Sequence, residues 1–161
     1  KRTLDALTRR GSPTTVVASA PRGSGSSAPS TRGARTSAAD AWRSGRRIGP
    51  IKVVTIDGKP VEKQTADALL RMRAAAKRDG VHIRVVSGFR SYTEQDRLYS
   101  LYLAGRGNLA ARPGYSNHQD GHALDLNASA PGVYSWLSRR GRSFGFIRTV
   151  PSENWHWEYR P

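Results

Sequence analysis

Apolar positions in this chain follow two rhythms, one of three to four residues and one of two, after a long N-terminal stretch that shows neither. In residues 65–78, Ala68, Leu69, Met72, Ala75 and Ala76 recur on one side and charged residues on the other, which predicts an amphipathic helix stopped at Gly80. A second helix is predicted to open at Ser91. There Ser91-Tyr92-Thr93-Glu94 has the spacing of a capping box, and Leu98, Leu101 and Tyr102 follow at helical intervals. Residues 133–140 predict a third, short helix ending at Gly141. Strands are expected at 51–56, closed by an Asp57-Gly58 turn, at 81–86, at 123–126 and at 155–159, with a polar, glycine-containing loop over 105–114. Short strands without regular βαβ succession predict α+β rather than a doubly wound sheet.

Residues 11–39 are dominated by Ser, Thr, Gly, Ala, Pro and Arg and hold no aromatic residue. So little apolar surface does not offset the entropy of ordering a chain, so residues 1–40 are expected to be a flexible basic tail or linker and residues 41–161 the folded domain. Ten of the first 47 residues are Lys or Arg, against only Asp5 and Asp40. The whole chain of 161 residues, the length of one domain, carries a formal charge of +15, which draws it toward polyanions such as nucleic acid, anionic lipid or acidic wall polymer. Its aromatic residues cluster near His156 instead of interleaving with Arg and Lys, so no specific nucleic-acid partner is expected. No apolar stretch approaches the ~18 residues of a membrane span. Thr14-Thr15-Val16-Val17, ahead of Ala18-Ser19-Ala20, is too short for the apolar core of an intact secretory signal. Cysteine is absent, so a metal must be held by His, Asp or Glu.

Three of the four histidines lie in two compact segments, residues 116–125 and 153–158, together with several carboxylates. Catalytic zinc takes three protein ligands and keeps one position open for water, and this composition permits three ligand sets. His118 and His122 have the i, i+4 spacing of a zincin helix, but Gln119 stands where that motif needs Glu, and Gly121 weakens a helix there. A two-His, one-carboxylate iron site needs a His-x-Asp pair, whereas His122 and Asp125 are separated by two residues. The third set is His118, Asp125 and His156. Alternation favours it: Asp125 shares a strand face with Ala123 while Leu124 and Leu126 fill a core, and His156 and Glu158 lie opposite Trp155, Trp157 and Tyr159. Glu153 and Glu158 can both approach a metal held by His156, and spacing does not choose between them. His82 and His122 read as ordinary core or surface residues, Asp120 as a weaker ligand candidate, and Trp136 and Trp157 as packing.

Ser116-x-His118-x-x-Gly121-x-Ala123-x-Asp125 followed by Glu153-x-Trp155-His156 resembles the paired signatures of the zinc D-alanyl-D-alanine carboxypeptidases of the vancomycin-resistance VanY type. That family includes D-Ala-D-Ala dipeptidases and phage L-alanyl-D-glutamate endolysins. Upstream, Ser87-Gly88-Phe89-Arg90-Ser91-Tyr92-x-x-Gln95 is similar to the segment in which the family places a substrate-binding Arg and Gln. The resemblance covers about residues 60–159. It implies a small α+β domain whose antiparallel sheet, flanked by helices, carries one zinc ion per chain on His118, Asp125 and His156. It further implies Glu153 as catalytic base, Arg90 as the group that stabilises developing charge, and Ser116, Gln95 and Arg90 as substrate contacts. The implied activity is a zinc D,D-carboxypeptidase acting on peptidoglycan stem peptides at the cell envelope. The chain is expected to be a monomer, and the charge of its basic tail, which the resemblance does not cover, is expected to draw it to anionic wall polymer or lipid. An L-alanyl-D-glutamate endopeptidase ranks second, and a basic binding module without catalysis is the competing class. The loop over 105–114 holds no insertion able to close a cleft, which weighs against a strict dipeptidase.

Overall fold

The computed structural model describes residues 28–161, so the first 27 residues of the tail expected over 1–40 lie outside the described residues. Three strands, β1 (Ser37–Arg43), β2 (Arg46–Ile56) and β3 (Lys59–Glu62), pair antiparallel in that order. Helix α1 (Lys63–Arg78), strand β4 (Val85–Ser87) and helix α2 (Tyr92–Leu103) follow. A long loop then leads through a 3-10 turn (Asn117–Gln119) to β5 (Ala123–Leu126), α3 (Val133–Arg140), β6 (Phe146–Ile147) and β7 (His156–Tyr159). The second sheet has the order β4-β5-β7-β6 and is antiparallel throughout. This is the α+β architecture expected, with two small sheets.

α1 forms where the helical rhythm placed it. The Glu62 carboxylate accepts the backbone N–H groups of Gln64 and Thr65, satisfying donors that the first turn leaves open. Thr65, Ala68, Leu69, Met72, Ala75 and Ala76 make its buried stripe. That stripe packs against Leu124 and Leu126 of β5, Trp157 of β7, Phe146 of β6 and Trp136 and Leu137 of α3 in one core. Burying each of the larger side chains is worth about 1.5–3 kcal/mol. The Trp136 indole N–H donates to Asp79 at the end of α1, which ties α3 to it.

Three expectations shift. The boundary at residue 40 falls inside β1: Thr31 is already buried, its N–H and hydroxyl both donating to Asp67, and residues 37–40 pair with β2. Their order comes from a backbone ladder and not from apolar side chains, so composition does not reveal it. The strand expected at 81–86 shrinks to β4 because Asn127 takes its partners, its side chain accepting from Arg84 N–H and donating to the His82 carbonyl. α2 is capped at Ser91 as predicted, with the Ser91 hydroxyl accepting from Glu94 N–H, but only Gln95 on it is buried. Its apolar residues Leu98 and Leu101 face an open cleft.

Candidate active site

The antiparallel register of β5 and β7 sets Asp125 directly opposite His156 and Leu124 opposite Trp157. Successive side chains leave a strand on opposite faces, so the apolar pair enters the core and the polar pair shares the other side. His118 arrives from the 3-10 turn, which Ser116 caps by accepting His118 N–H. Asp125 Oδ1 lies 3.3 Å from His118 Nε2 and 3.2 Å from His156 Nδ1, and the three ligand atoms fall within 4.8 Å of one another. Ligands held at about 2.0–2.1 Å by a tetrahedral zinc sit roughly 3.3–3.4 Å apart. The spacing and the donor types therefore fit one zinc ion.

Each imidazole has its remaining nitrogen engaged, which fixes the face it offers. His118 Nδ1–H donates to the Gly88 carbonyl at 2.8 Å, freeing Nε2. His156 Nε2 faces Glu158 Oε1 at 3.4 Å, leaving Nδ1 toward Asp125. Glu158 is 3% exposed and also accepts from Asn117, Thr149 and Arg160. The His156 hydrogen bond, aided by these donors against the opposing effect of burial, holds its carboxyl well below the usual range. Burial alone would raise the Asp125 carboxyl, but the two imidazoles outweigh it and keep it ionised. Burial would likewise lower His156, yet Asp125 and Glu158 lift it to about 9.

A cleft of about 790 Å³ opens onto this corner, lined by Arg90, Leu98, Leu101, Leu109, Tyr115, Ser116, Glu153 and Trp155 among others. Glu153 is 39% exposed, with Oε2 3.8 Å from His156 Nδ1. The geometry thus separates the two acids that spacing left level: Glu158 is enclosed behind His156, and Glu153 is open to the cleft. Half-buried Arg90 follows β4, with Nη1 donating to Gln95 Oε1 at 2.8 Å and Nη2 reaching Ser87 Oγ at 3.3 Å. Gln95 is fully buried and its amide N–H₂ donates to the Ala111 carbonyl. Where a direct peptide contact was expected, Gln95 instead stands behind Arg90 and holds it. Asp120 and His122 face Arg43, not the metal corner. Trp155 leaves the alternation of β7 and is half exposed along the cleft, a placement that the strand pattern missed because residue 155 precedes the regular ladder.

The family model for VanY, D-alanyl-D-alanine carboxypeptidase, matches residues 58–161. The chain belongs to the VanY family. Among its relatives, the peptidoglycan L-alanyl-D-glutamate endopeptidase CwlK of Bacillus subtilis is 40% identical over 87 residues, 53% of this chain and 50% of that protein. The D-alanyl-D-alanine carboxypeptidase of Enterococcus faecalis is 30% identical over 132 residues, 64% of this chain and 49% of that one. The chain thus spans about half the length of the curated relatives it matches. A solved structure of a vancomycin-resistance D,D-pentapeptidase VanY variant in complex with Zn(II) superposes with a TM-score of 0.57 at 29% identity, covering 68% of this chain and 78% of that one. The VanY match includes the whole metal corner and α2, but β1 and β2 precede it.

Because His156 is protonated below about pH 9 before any metal binds, Nδ1 must shed a proton to become a ligand. Zinc affinity should therefore rise with pH from about 7 to about 9, by about tenfold per unit for one released proton. Calorimetry in two buffers of different ionisation enthalpy measures that proton. An affinity independent of pH over this range would contradict the protonated His156.

Proposed function

We propose that this protein is a zinc D,D-carboxypeptidase that removes the terminal D-Ala from peptidoglycan stem peptides in the cell envelope. The observation that carries the reading is the His118, Asp125 and His156 corner opening on a cleft beside a solvent-accessible Glu153, in a chain of the VanY family. Support for the substrate also comes from VanYB, solved in complex with D-alanine-D-alanine, which superposes with a TM-score of 0.60 at 27% identity.

When bound, zinc would polarise the scissile carbonyl and make the attacking water more acidic. The chain's own groups supply the rest. His118, Asp125 and His156 would hold the ion, with the two imidazoles oriented by Gly88 and Glu158. Glu153 Oε2, reachable from the cleft, takes the proton from the attacking water and returns it to the leaving amine nitrogen. Arg90 remains a cation although burial lowers its pKa, with the charges of Asp125 and Glu94 opposing that fall. It is braced by Gln95 and Ser87, so it needs little rearrangement to stabilise charge growing on the carbonyl oxygen. Ser116, at the cleft wall, hydrogen-bonds the peptide. A module that only binds polymer has no need of an accessible carboxylate beside a three-ligand corner.

The 40% identity with CwlK favours a second reading, cleavage between L-Ala and D-Glu. Mass spectrometry of pentapeptide muropeptides after digestion separates the two. Loss of one alanine is expected, and release of a peptide beginning at D-Glu would replace the first reading by the second.

The two acids should also separate kinetically. Glu153→Gln is expected to keep zinc and to lower kcat by roughly two to four orders of magnitude, the scale of general-base catalysis. Glu158→Gln should act through His156, with a loss of roughly 10–100-fold in zinc affinity and a smaller fall in kcat at saturating zinc. Equal kcat losses in zinc-saturated variants would contradict this division.

A further inference from the structure

The β1–β2 hairpin lies ahead of the residues that match the family, yet its tip touches the loop that lines the cleft. Its two-residue turn, Ser44-Gly45, has φ of 51° and 76°, the left-handed pair that matches the twist of a tight hairpin. Though both turn residues are exposed, the tip is tethered to the neighbouring loop. Gly45 N–H donates to the Gly114 carbonyl at 2.9 Å, and Gly114 N–H donates inward to Gln119 Oε1 at 2.8 Å, so the Gly114 residue is clamped from both sides. The approach is close: a Cβ on Gly45 would lie 2.6 Å from the Tyr115 hydroxyl oxygen and push that ring aside, and one on Gly114 would lie 3.0 Å from Gly45 Cα. Two further contacts fasten the hairpin nearby. Arg43 pairs with Asp120 at 3.1 Å, beyond His118 in sequence, and the Trp42 ring rests on Tyr92, the first residue of α2, with centroids 4.6 Å apart.

Tyr115 and Ser116 follow the clamped glycine and line the cleft. They end a loop that runs from α2 to the 3-10 turn without regular structure. A loop of that kind binds substrate at the cost of being ordered, unless something orders it beforehand. His118, whose N–H the Ser116 hydroxyl also caps, has two holds independent of the clamp. Its ring is held by the Gly88 carbonyl, and its own carbonyl accepts Arg90 N–H at 3.0 Å.

We propose that the β1–β2 hairpin is a positioning element of the substrate cleft, its tip holding Tyr115 and Ser116 in place through Gly45 and Gly114 and so setting the affinity for peptide. The inference rests on the peptidase reading above for its substrate. It predicts an effect on KM and not on kcat, because the metal corner and Glu153 stand on or beside β5, β7 and the 3-10 turn, outside the hairpin.

The fold supplies a matched control. Asp57-Gly58 is a second two-residue hairpin turn with φ of 52° and 74°, and a Cβ on Gly58 would meet nothing within 4 Å. Asn tolerates the left-handed conformation, so Gly45→Asn and Gly58→Asn impose similar backbone demands and differ in what the new side chain meets. In the zinc-loaded full chain, Gly45→Asn should raise KM for a stem peptide about tenfold with kcat within about twofold and zinc stoichiometry unchanged. It should also speed hydrogen exchange of the amides of residues 114–116, while Gly58→Asn does neither. Tyr115→Ala, at a half-exposed side chain that the fold does not need, should raise KM as well, and adding Gly45→Asn to it should raise KM little further. KM unchanged in Tyr115→Ala, or Gly45→Asn matching Gly58→Asn in KM and exchange, would overturn the proposal. Were the wild-type chain to cleave no stem peptide, the peptidase reading would fall, and exchange would still decide the hairpin: faster exchange in Gly45→Asn alone supports the clamp, and equal exchange overturns it.

Discussion

Asp125 and His156 stand 31 residues apart in sequence and meet because β5 and β7 pair in a register that places them face to face. A slip of one residue would turn every side chain of one strand to the opposite face, sending His156 into the core and Trp157 toward the cleft. The register is held by what lies behind it. Leu124, Leu126 and Trp157 are almost fully buried against α1 and α3. Exposing those three would cost roughly 5–9 kcal/mol, comparable with the whole stability of a domain this size. The apolar face of two four-residue strands thus sets the geometry of the polar face.

That polar face concentrates charge, and its order depends on each group having a partner. Glu158 is enclosed, a position that would be costly for a lone carboxylate, but it accepts hydrogen bonds from four residues and turns the cost into a fixed orientation for His156. Gln95 does the same for Arg90 from a fully buried position. The exposed Glu153 has no such enclosure, which suits a group that must exchange protons with substrate and solvent. Rigid groups thus stand on strands and helix starts, while the cleft wall is built from a loop that other elements must hold.

Much of this was legible in the residues. The stripe of α1, the capping of α2 at Ser91, the extent of α3 and the alternation around Asp125 and His156 depend on local periodicity, and the structure follows them. What could not be read depends on partners distant in sequence. β1 has only small apolar residues and Trp42, and it is ordered by its ladder to β2. Asn127 shortens the strand before β4 by occupying its backbone groups. Leu98 and Leu101 have helical spacing, but spacing alone does not say whether a stripe meets a core or a cleft. Glu153 and Glu158 are equally placed in sequence near His156, and only burial separates them.

The central claim is that the β5–β7 register and the capped turn at His118 build one metal corner from two imidazoles and one carboxylate. X-ray absorption at the zinc edge of the loaded protein tests it most directly. The account predicts a four-coordinate ion with two imidazole nitrogens and oxygen ligands at about 2.0–2.1 Å, and loss of one imidazole in His156→Ala. A spectrum with one imidazole or none in the unaltered chain, or one that His156→Ala leaves unchanged, would contradict it.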